Sequence, residues 1–440
     1  MKKRLRIVIL LTLVLIFLFP QSTGCAPKEV EQTNNSLKIA YFGTNSFVSG
    51  PLYEFKQQHP DVEVTTDFQP YTEEDPVGEA FFKRISAEVM SGSGPDVIIL
   101  GTWGLNANKM MRSGAFEDLN GFIENDPEFD LTKYNANVLK AGQVDGKQYI
   151  MPLTYKLPLV LTTQELLDKT GFDISTADNY NTFLEECLKY KQANIPGAPK
   201  LAINMNINPY LADVVDYDTG EAKINTPENR ETIRLNYEAV TSQRGVDGYG
   251  ANSFSAPTLL QNKVLFVLSN VAACDLHITS YRALKNTATP VQIPLYNTKG
   301  ELIAEVTNSM AINANSPNKQ NAYEFLKLVM NDANYSYKGD IHISEEAVKE
   351  YLESMIGKEE KLGNLIQGGV EELETAAGLT QEEVDEYMGF LAEVDGAYIG
   401  EQDVTNAHSE TIRPYYNGET ADLDGCIQKF EDKLKIIASE

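Results

Sequence analysis

The side chains best suited to hold a small molecule sit just after two strand-like runs. Leu37 to Phe42 delivers Gly43-Thr44-Asn45-Ser46, and Asp96 to Leu100 delivers Gly101-Thr102-Trp103-Gly104. Ligands of open α/β sheets bind outside the carboxyl ends of the strands, so both stretches are candidate contacts. Trp103 is the single Trp of the chain. Flanked by glycines that let backbone approach, its indole offers a flat apolar plate to a ring-shaped ligand, although a lone Trp also fills gaps in cores. Tyr41 and Asn45 stand at the first strand end, and Asn270 follows a third buried run, Val264 to Leu268. Phenol and amide groups both donate and accept, as a neutral polyol requires. Turn chemistry for Asn and core packing for Tyr are their other uses.

Catalytic and metal chemistry finds little support. The four histidines, His59, His277, His342 and His408, lie far apart, and no Cys-x-x-Cys spacing occurs. Neither a nucleophile elbow, a zinc-protease motif nor a dinucleotide fingerprint is present. Ser316-Pro317-Asn318-Lys319 has the Ser-x-x-Lys spacing, but Pro at a helix start makes it a cap. Asp216-Tyr217-Asp218-Thr219-Gly220 begins like a calcium loop, yet Gly stands at its fifth position and no Glu at its twelfth, so it reads as a turn. No cofactor and no metal are expected.

The elements that must position these residues belong to a long, acidic chain. At 440 residues, 42% hydrophobic and 23% charged, it is globular and long enough for two or three domains. Its 37 Lys and Arg against 63 Asp and Glu leave −26, a surface that repels phosphate backbones and argues against nucleic acid. Lys2, Lys3, Arg4 and Arg6 precede an apolar run from Ile7 to Phe19, the pattern of a signal peptide and shorter than the roughly 20 residues of a spanning helix. Losing residues 1–24 removes four cations and no anion, leaving 33 positive and 63 negative charges, or −30, on the exported body. Ala26 to Ser36 is polar and reads as a tether. Besides Cys25 there remain Cys187, Cys274 and Cys426, an odd number that argues against a disulfide framework. Cys187, at helical spacing with Leu184 and Leu188, reads as a buried thiol.

From Leu37 the chain alternates strand, helix (Gly50 to Gln58), strand (Val62 to Thr66), helix (Val77 to Met90) and strand (Asp96 to Leu100). That is the signature of an α/β layer fold with a largely parallel sheet. The alternation resumes with a strand at Leu201 to Asn204, a turn at Tyr217-Asp218-Thr219-Gly220 and a helix cap at Thr226-Pro227. Strands at Val264 to Leu268, Val291 to Pro294 and Ala304 to Ile312 follow, and then a helix from Lys319 to Met330. After Ser344 the reading is nearly all helix: Glu345 to Ile356, Lys361 to Ala376, Thr380 to Val394 and Asp422 to Ile437.

Six segments, in order, carry a family resemblance. They are Glu54-Phe55-Lys56-Gln57-Gln58-His59-Pro60-Asp61-Val62-Glu63-Val64, then Met90-Ser91-Gly92-Ser93-Gly94-Pro95-Asp96-Val97-Ile98, and Asp145-Gly146-Lys147-Gln148-Tyr149-Ile150-Met151-Pro152-Leu153. Asn262-Lys263-Val264-Leu265-Phe266 follows, with Asn262 where the family has Gly. The last two are Ala311-Ile312-Asn313-Ala314-Asn315-Ser316-Pro317-Asn318-Lys319 and Tyr416-Asn417-Gly418-Glu419 before the final helix. Together they resemble the extracellular solute-binding proteins of bacterial ABC importers, in the group of maltodextrin- and oligosaccharide-binding proteins. Ser22-Thr23-Gly24-Cys25 is similar to a lipoprotein lipobox, with Ser22 where Leu or Val is usual.

The resemblance implies a two-lobed α/β fold of the periplasmic-binding-protein type II, hinged, with a helical C-terminal region. It places a signal peptide at 1–24, a lipidated Cys25 and tether at 25–36, lobe 1 at 36–152 plus 303–332, and lobe 2 at 153–302 plus 333–440. It implies a monomer, lipid-anchored on the outer face of the bacterial cytoplasmic membrane, that closes on a small solute, a carbohydrate, and hands it to permease subunits without catalysis. Tyr155, after the crossover at Met151-Pro152-Leu153, and Asn308, in the return segment, join Trp103, Asn270, Asn45 and Tyr41 as ligand contacts. Asp275, Arg282 and Glu305 are expected as rim charges. Two alternatives stay open: a secreted polysaccharide-degrading enzyme with two carboxylates in a cleft, and a receptor for a non-sugar solute.

Overall fold

The computed structural model describes residues 35–43, 48–74, 78–101, 105–201, 208–240, 256–269, 274–331, 340–362 and 375–439. β1 (Ser36–Gly43), α1 (Ser49–Gln58), β2 (Glu63–Pro70), α2 (Glu79–Met90) and β3 (Val97–Gly101) keep the alternation read from the sequence. After α3 (Ala107–Arg112) the chain reaches β4 (Ile150–Lys156) and β5 (Leu159–Thr163). Then come α4 (Tyr180–Ala193), the small hairpin of β6 (Val215–Asp216) and β7 (Glu221–Ala222), α5 (Pro227–Leu235), β8 (Val267–Ser269), α6 (Cys274–Leu284) and β9 (Pro290–Pro294). The chain returns through β10 (Leu302–Ile312) to α7 (Lys319–Met330), β11 (Ile341–His342) and α8 (Glu345–Glu353). It closes with α9 (Gln381–Ala392), β12 (Val394–Ile399), α10 (Gln402–Thr411) and α11 (Leu423–Ser439).

Two sheets organise the two lobes. The larger has the order β11-β4-β10-β3-β1-β2, with β12 also beside β10. β1 runs parallel to β2 and β3, whereas β10 is antiparallel to β3 and to β4. The sheet is therefore mixed rather than largely parallel. The reason is topological: β4 leaves at the carboxyl edge of β1 and β3, and β10 comes back in at that edge, so it must run against β3. All four apolar residues of β3 are buried, as befits a strand inside the sheet, while the edge strand β2 is half exposed along its length. In α7, Ala322, Phe325, Leu326 and Val329 repeat at helical spacing and are buried, and Phe325 meets Phe55 of α1 edge-on at 6.0 Å. The smaller sheet places β5 between β8 and β9, antiparallel to both.

Several local readings change. Of the stretch expected as a helix from Lys361 to Ala376, positions 363–374 lie outside the described residues, and its two ends pair as extended chain, Glu360–Lys361 against Thr375–Ala376. Arg282, expected at a rim, is 1% exposed. Its guanidinium donates to the carbonyls of Ala377 (2.8 Å) and Lys358 (2.9 Å) and reaches Glu360 (3.1 Å), pinning that pair onto α6. The helix expected to run to Val394 ends at Ala392, and Val394 to Ile399 is a strand because the first half of β10 offers it an open edge. β11 and β12 both come from the stretch after residue 333, expected in lobe 2, yet they hydrogen-bond into the larger sheet. Asn262 has φ +51°, a left-handed backbone that Gly would accept and Asn tolerates, and its side-chain oxygen accepts from Lys169 at 3.0 Å. Cys187 is buried, and Cys187 and Cys426 are free thiols. Of the strand expected at Leu201 to Asn204, positions 202–204 lie outside the described residues.

Candidate functional site

A cavity of about 810 Å³ opens where the strands of the larger sheet give way to the second lobe. Its floor is a row of side chains from three adjacent strands. Glu305 of β10 lies opposite Lys156 of β4 on one side and Tyr398 of β12 on the other. Register brings them together: Lys156 Nζ stands 3.0 Å from Glu305 Oε2, and the Tyr398 hydroxyl donates to the same oxygen at 3.2 Å. Along β10 the alternation is clean, since Leu302, Ala304 and Val306 are buried while Ile303 and Glu305 face the cavity.

One wall comes from α3, whose start is capped by Asn106 accepting from the Lys109 amide at 2.9 Å. This sets Asn108 and Arg112 on the cavity. The facing wall is the β6–β7 turn with Tyr217 and Asp218, together with Asn208 and Pro209. Glu401, at the cap position directly before α10, and His408 of α10 complete the lining. Glu401 is 7% exposed and accepts from the Asn108 amide at 2.8 Å and from the Tyr217 hydroxyl. Burial pushes its carboxyl up to about 7. His408 bonds the Tyr210 hydroxyl at 2.8 Å, and burial lowers its imidazole to about 4, which keeps it neutral.

Three of the five cations on the cavity are matched from within, while Lys140 and Arg413 make no ion pair among the described residues. Lys156 meets Glu305, Lys223 meets Asp216 at 3.0 Å, and Arg112 meets Asp218 at 3.0 Å. At these three pairs a charged solute would have to displace an internal partner, whereas a neutral one with many hydroxyls could share the paired groups and the amides of Asn108 and Asn208. Among the described residues no group of three or more His, Cys, Asp or Glu side chains is placed to hold a metal ion.

The residues singled out from the sequence lie as follows. Asn45, Trp103, Asn270 and Cys25 are outside the described residues. Tyr41 is 6% exposed and stacks on Phe68 at 4.9 Å. Tyr155 is fully buried in β4 beside Val306 and Ile341. Asn308 donates to Thr154 Oγ1 at 2.9 Å and, more weakly, to Asp340 at 3.4 Å. Neither Tyr41, Tyr155 nor Asn308 lines the cavity; the chain neighbour Lys156 does. Asn308 pairs with Gly101, directly before the Thr102-Trp103 stretch, so it sits at the strand-end edge. Lys156, Tyr217 and Glu401 were not singled out as contacts. For Lys156 no alternation gave a signal, since every earlier position of its strand is buried; for the other two, the contact partners lie too far along the chain to be seen.

The sequence profile described as bacterial extracellular solute-binding protein matches residues 43–335. Among solved structures, the sugar-binding protein MalE of Xanthomonas citri is similar at a TM-score of 0.65 and 14% identity, covering 92% of this chain and 97% of its own. A putative oligosaccharide periplasmic-binding protein of Synechococcus gives 0.61 and 15%, covering 92% and 99%. A periplasmic oligogalacturonide-binding protein of Yersinia enterocolitica gives 0.61 and 13%, with the same coverage. At these identities the likeness is one of fold.

Proposed function

The chain belongs to the bacterial extracellular solute-binding proteins, and from that premise we propose that it captures a neutral oligosaccharide in the cavity between its lobes and hands it to the permease of an ABC importer. The observation that carries the neutral class is the pairing of three of the cavity's five cations, Lys156 with Glu305, Arg112 with Asp218 and Lys223 with Asp216. Sugar-binding neighbours of the same fold support the carbohydrate. Trp103, Asn45 and Asn270, which follow strand ends in the sequence, are proposed as further contacts of the solute. The lobes are proposed to divide where β4 ends at Lys156, where β10 begins at Leu302 and where β12 ends at Ile399. The protein acts as a monomer without catalysis, anchored through Cys25 outside the cytoplasmic membrane.

A thermal-shift screen against neutral oligosaccharides, acidic oligosaccharides and polyamines, followed by calorimetry, tests this reading. A neutral sugar that binds and is recovered unshortened is the expected result. Shortened sugar would instead establish the polysaccharide-degrading alternative, and binding of polyamine alone would overturn the carbohydrate assignment. Trp103→Ala is expected to weaken the identified sugar by about 1–3 kcal/mol, the scale of one aromatic anchor.

A further inference from the structure

Across the cavity, side chains from the two lobes are already joined. Arg112 of α3 holds Asp218 of the β6–β7 turn through both Nε and Nη2 at 3.0 Å, and its guanidinium lies 5.4 Å from the centroid of the Tyr217 ring. Arg112 also donates to Asn108 Oδ1 at 3.2 Å, and Asn108 in turn donates to Glu401. The Tyr217 hydroxyl reaches the other oxygen of Glu401. An exposed ion pair alone contributes little. Here an ion pair with two guanidinium nitrogens on one carboxylate oxygen, a cation–π contact and a buried carboxylate held by Asn108 and Tyr217 share the same five residues, so each fixes the geometry the others need.

We propose that Arg112, Tyr217 and Asp218 form a latch across the cleft that holds the lobes closed by sealing Glu401 beneath it. This rests on the reading that lobe closure captures the solute, and it adds a linkage between closure and protons. Glu401 faces Asn108 and Arg112 on α3, Tyr217 on the turn and Asp403 in the first turn of α10, which Glu401 precedes. Burial raises its carboxyl from the ordinary 4.5 to about 7; Asn108 and Arg112 work against that rise and Asp403 adds to it. Opening the latch returns Glu401 to water and toward its ordinary value. The closed form therefore holds a proton that the open form releases. Closure is fully favoured below about pH 4.5 and weakens by up to about tenfold per pH unit as the pH rises toward 7.

Small-angle scattering of the purified protein without added solute, at pH 5.5 and pH 8, tests the latch. Wild type is expected to be more compact at pH 5.5 than at pH 8. Arg112→Ala and Asp218→Asn should be expanded at both, and Glu401→Gln compact at both. Circular dichroism confirms folding, and Asp218→Asn, on an exposed turn, leaves the core untouched. Variants that scatter like wild type at both pH values, or a Glu401→Gln protein that keeps the wild-type pH response, would overturn the proposal. Because no sugar is present, either failure leaves the carbohydrate reading standing, and a failed sugar screen leaves the latch standing.

Discussion

Tyr155 and Lys156 are chain neighbours with opposite fates, because consecutive strand side chains point to opposite faces. Tyr155→Ala should cost about 3–5 kcal/mol of stability, as large core truncations do, read by urea unfolding. Lys156→Met should leave stability within about 1 kcal/mol while weakening sugar binding by about 1.5–3 kcal/mol, since it strips Glu305 of its ionic partner. Equal affinities by calorimetry would remove Lys156 from the site. The sequence could not tell the two apart: β4 is buried at every position before Lys156, so no polar alternation marks which side chain emerges. Glu401 and Tyr217 were illegible for another reason, being 184 residues apart and acquiring their chemistry only where they meet. The histidines give a separate test. Burial holds His342 and His408 near 4, below the ordinary 6.5, so they are neutral when folded and take up protons when unfolded. Stability is then full above about pH 6.5 and falls as the pH drops toward 4, by roughly 3 kcal/mol for each. A melting temperature that stays flat from pH 7 to 4.5 would contradict this.

Elements whose own sequence decides them were legible, and elements decided by a neighbour were not. α7 spans the residues expected of it because its apolar positions repeat at three and four. β12 went unread because Gly396 interrupts its apolar pattern and its stability comes from β10, some ninety residues earlier. The extended pair at 360–361 and 375–376 depends in the same way on Arg282, a residue of another element. Arg282→Ala should therefore destabilise the second lobe by about 3–5 kcal/mol, leaving the carbonyls of Lys358 and Ala377 without their donor. Urea unfolding measures it, and a loss under 1 kcal/mol would show that Arg282 does not pin the pair.

At the scale of the whole molecule, a net charge of −26 disfavours attraction to anionic lipid headgroups, so the proposed attachment rests on a lipid at Cys25. Among the described residues no helix is long and apolar enough to cross a membrane. Cys25→Ala is expected to move the protein from the membrane fraction into the medium, since two or more acyl chains are what make such attachment stable; retention in the membrane fraction would refute the anchor. The path between the lobes carries one more consequence. On one edge of β10, β12 pairs up to Val306 and β3 takes over at Asn308; on the other edge, the pairing with β4 slips its register at the same place, around Thr307. Both ladders are thus interrupted at one level of a single eleven-residue strand. A ribbon weakened on both sides at one height is compliant to bending there and stiff to twisting elsewhere, so the lobes should swing like a door about one axis rather than roll like a ball in a socket. Amide hydrogen exchange should report it, with Val306 to Asn308 exchanging faster than Met310 to Ile312.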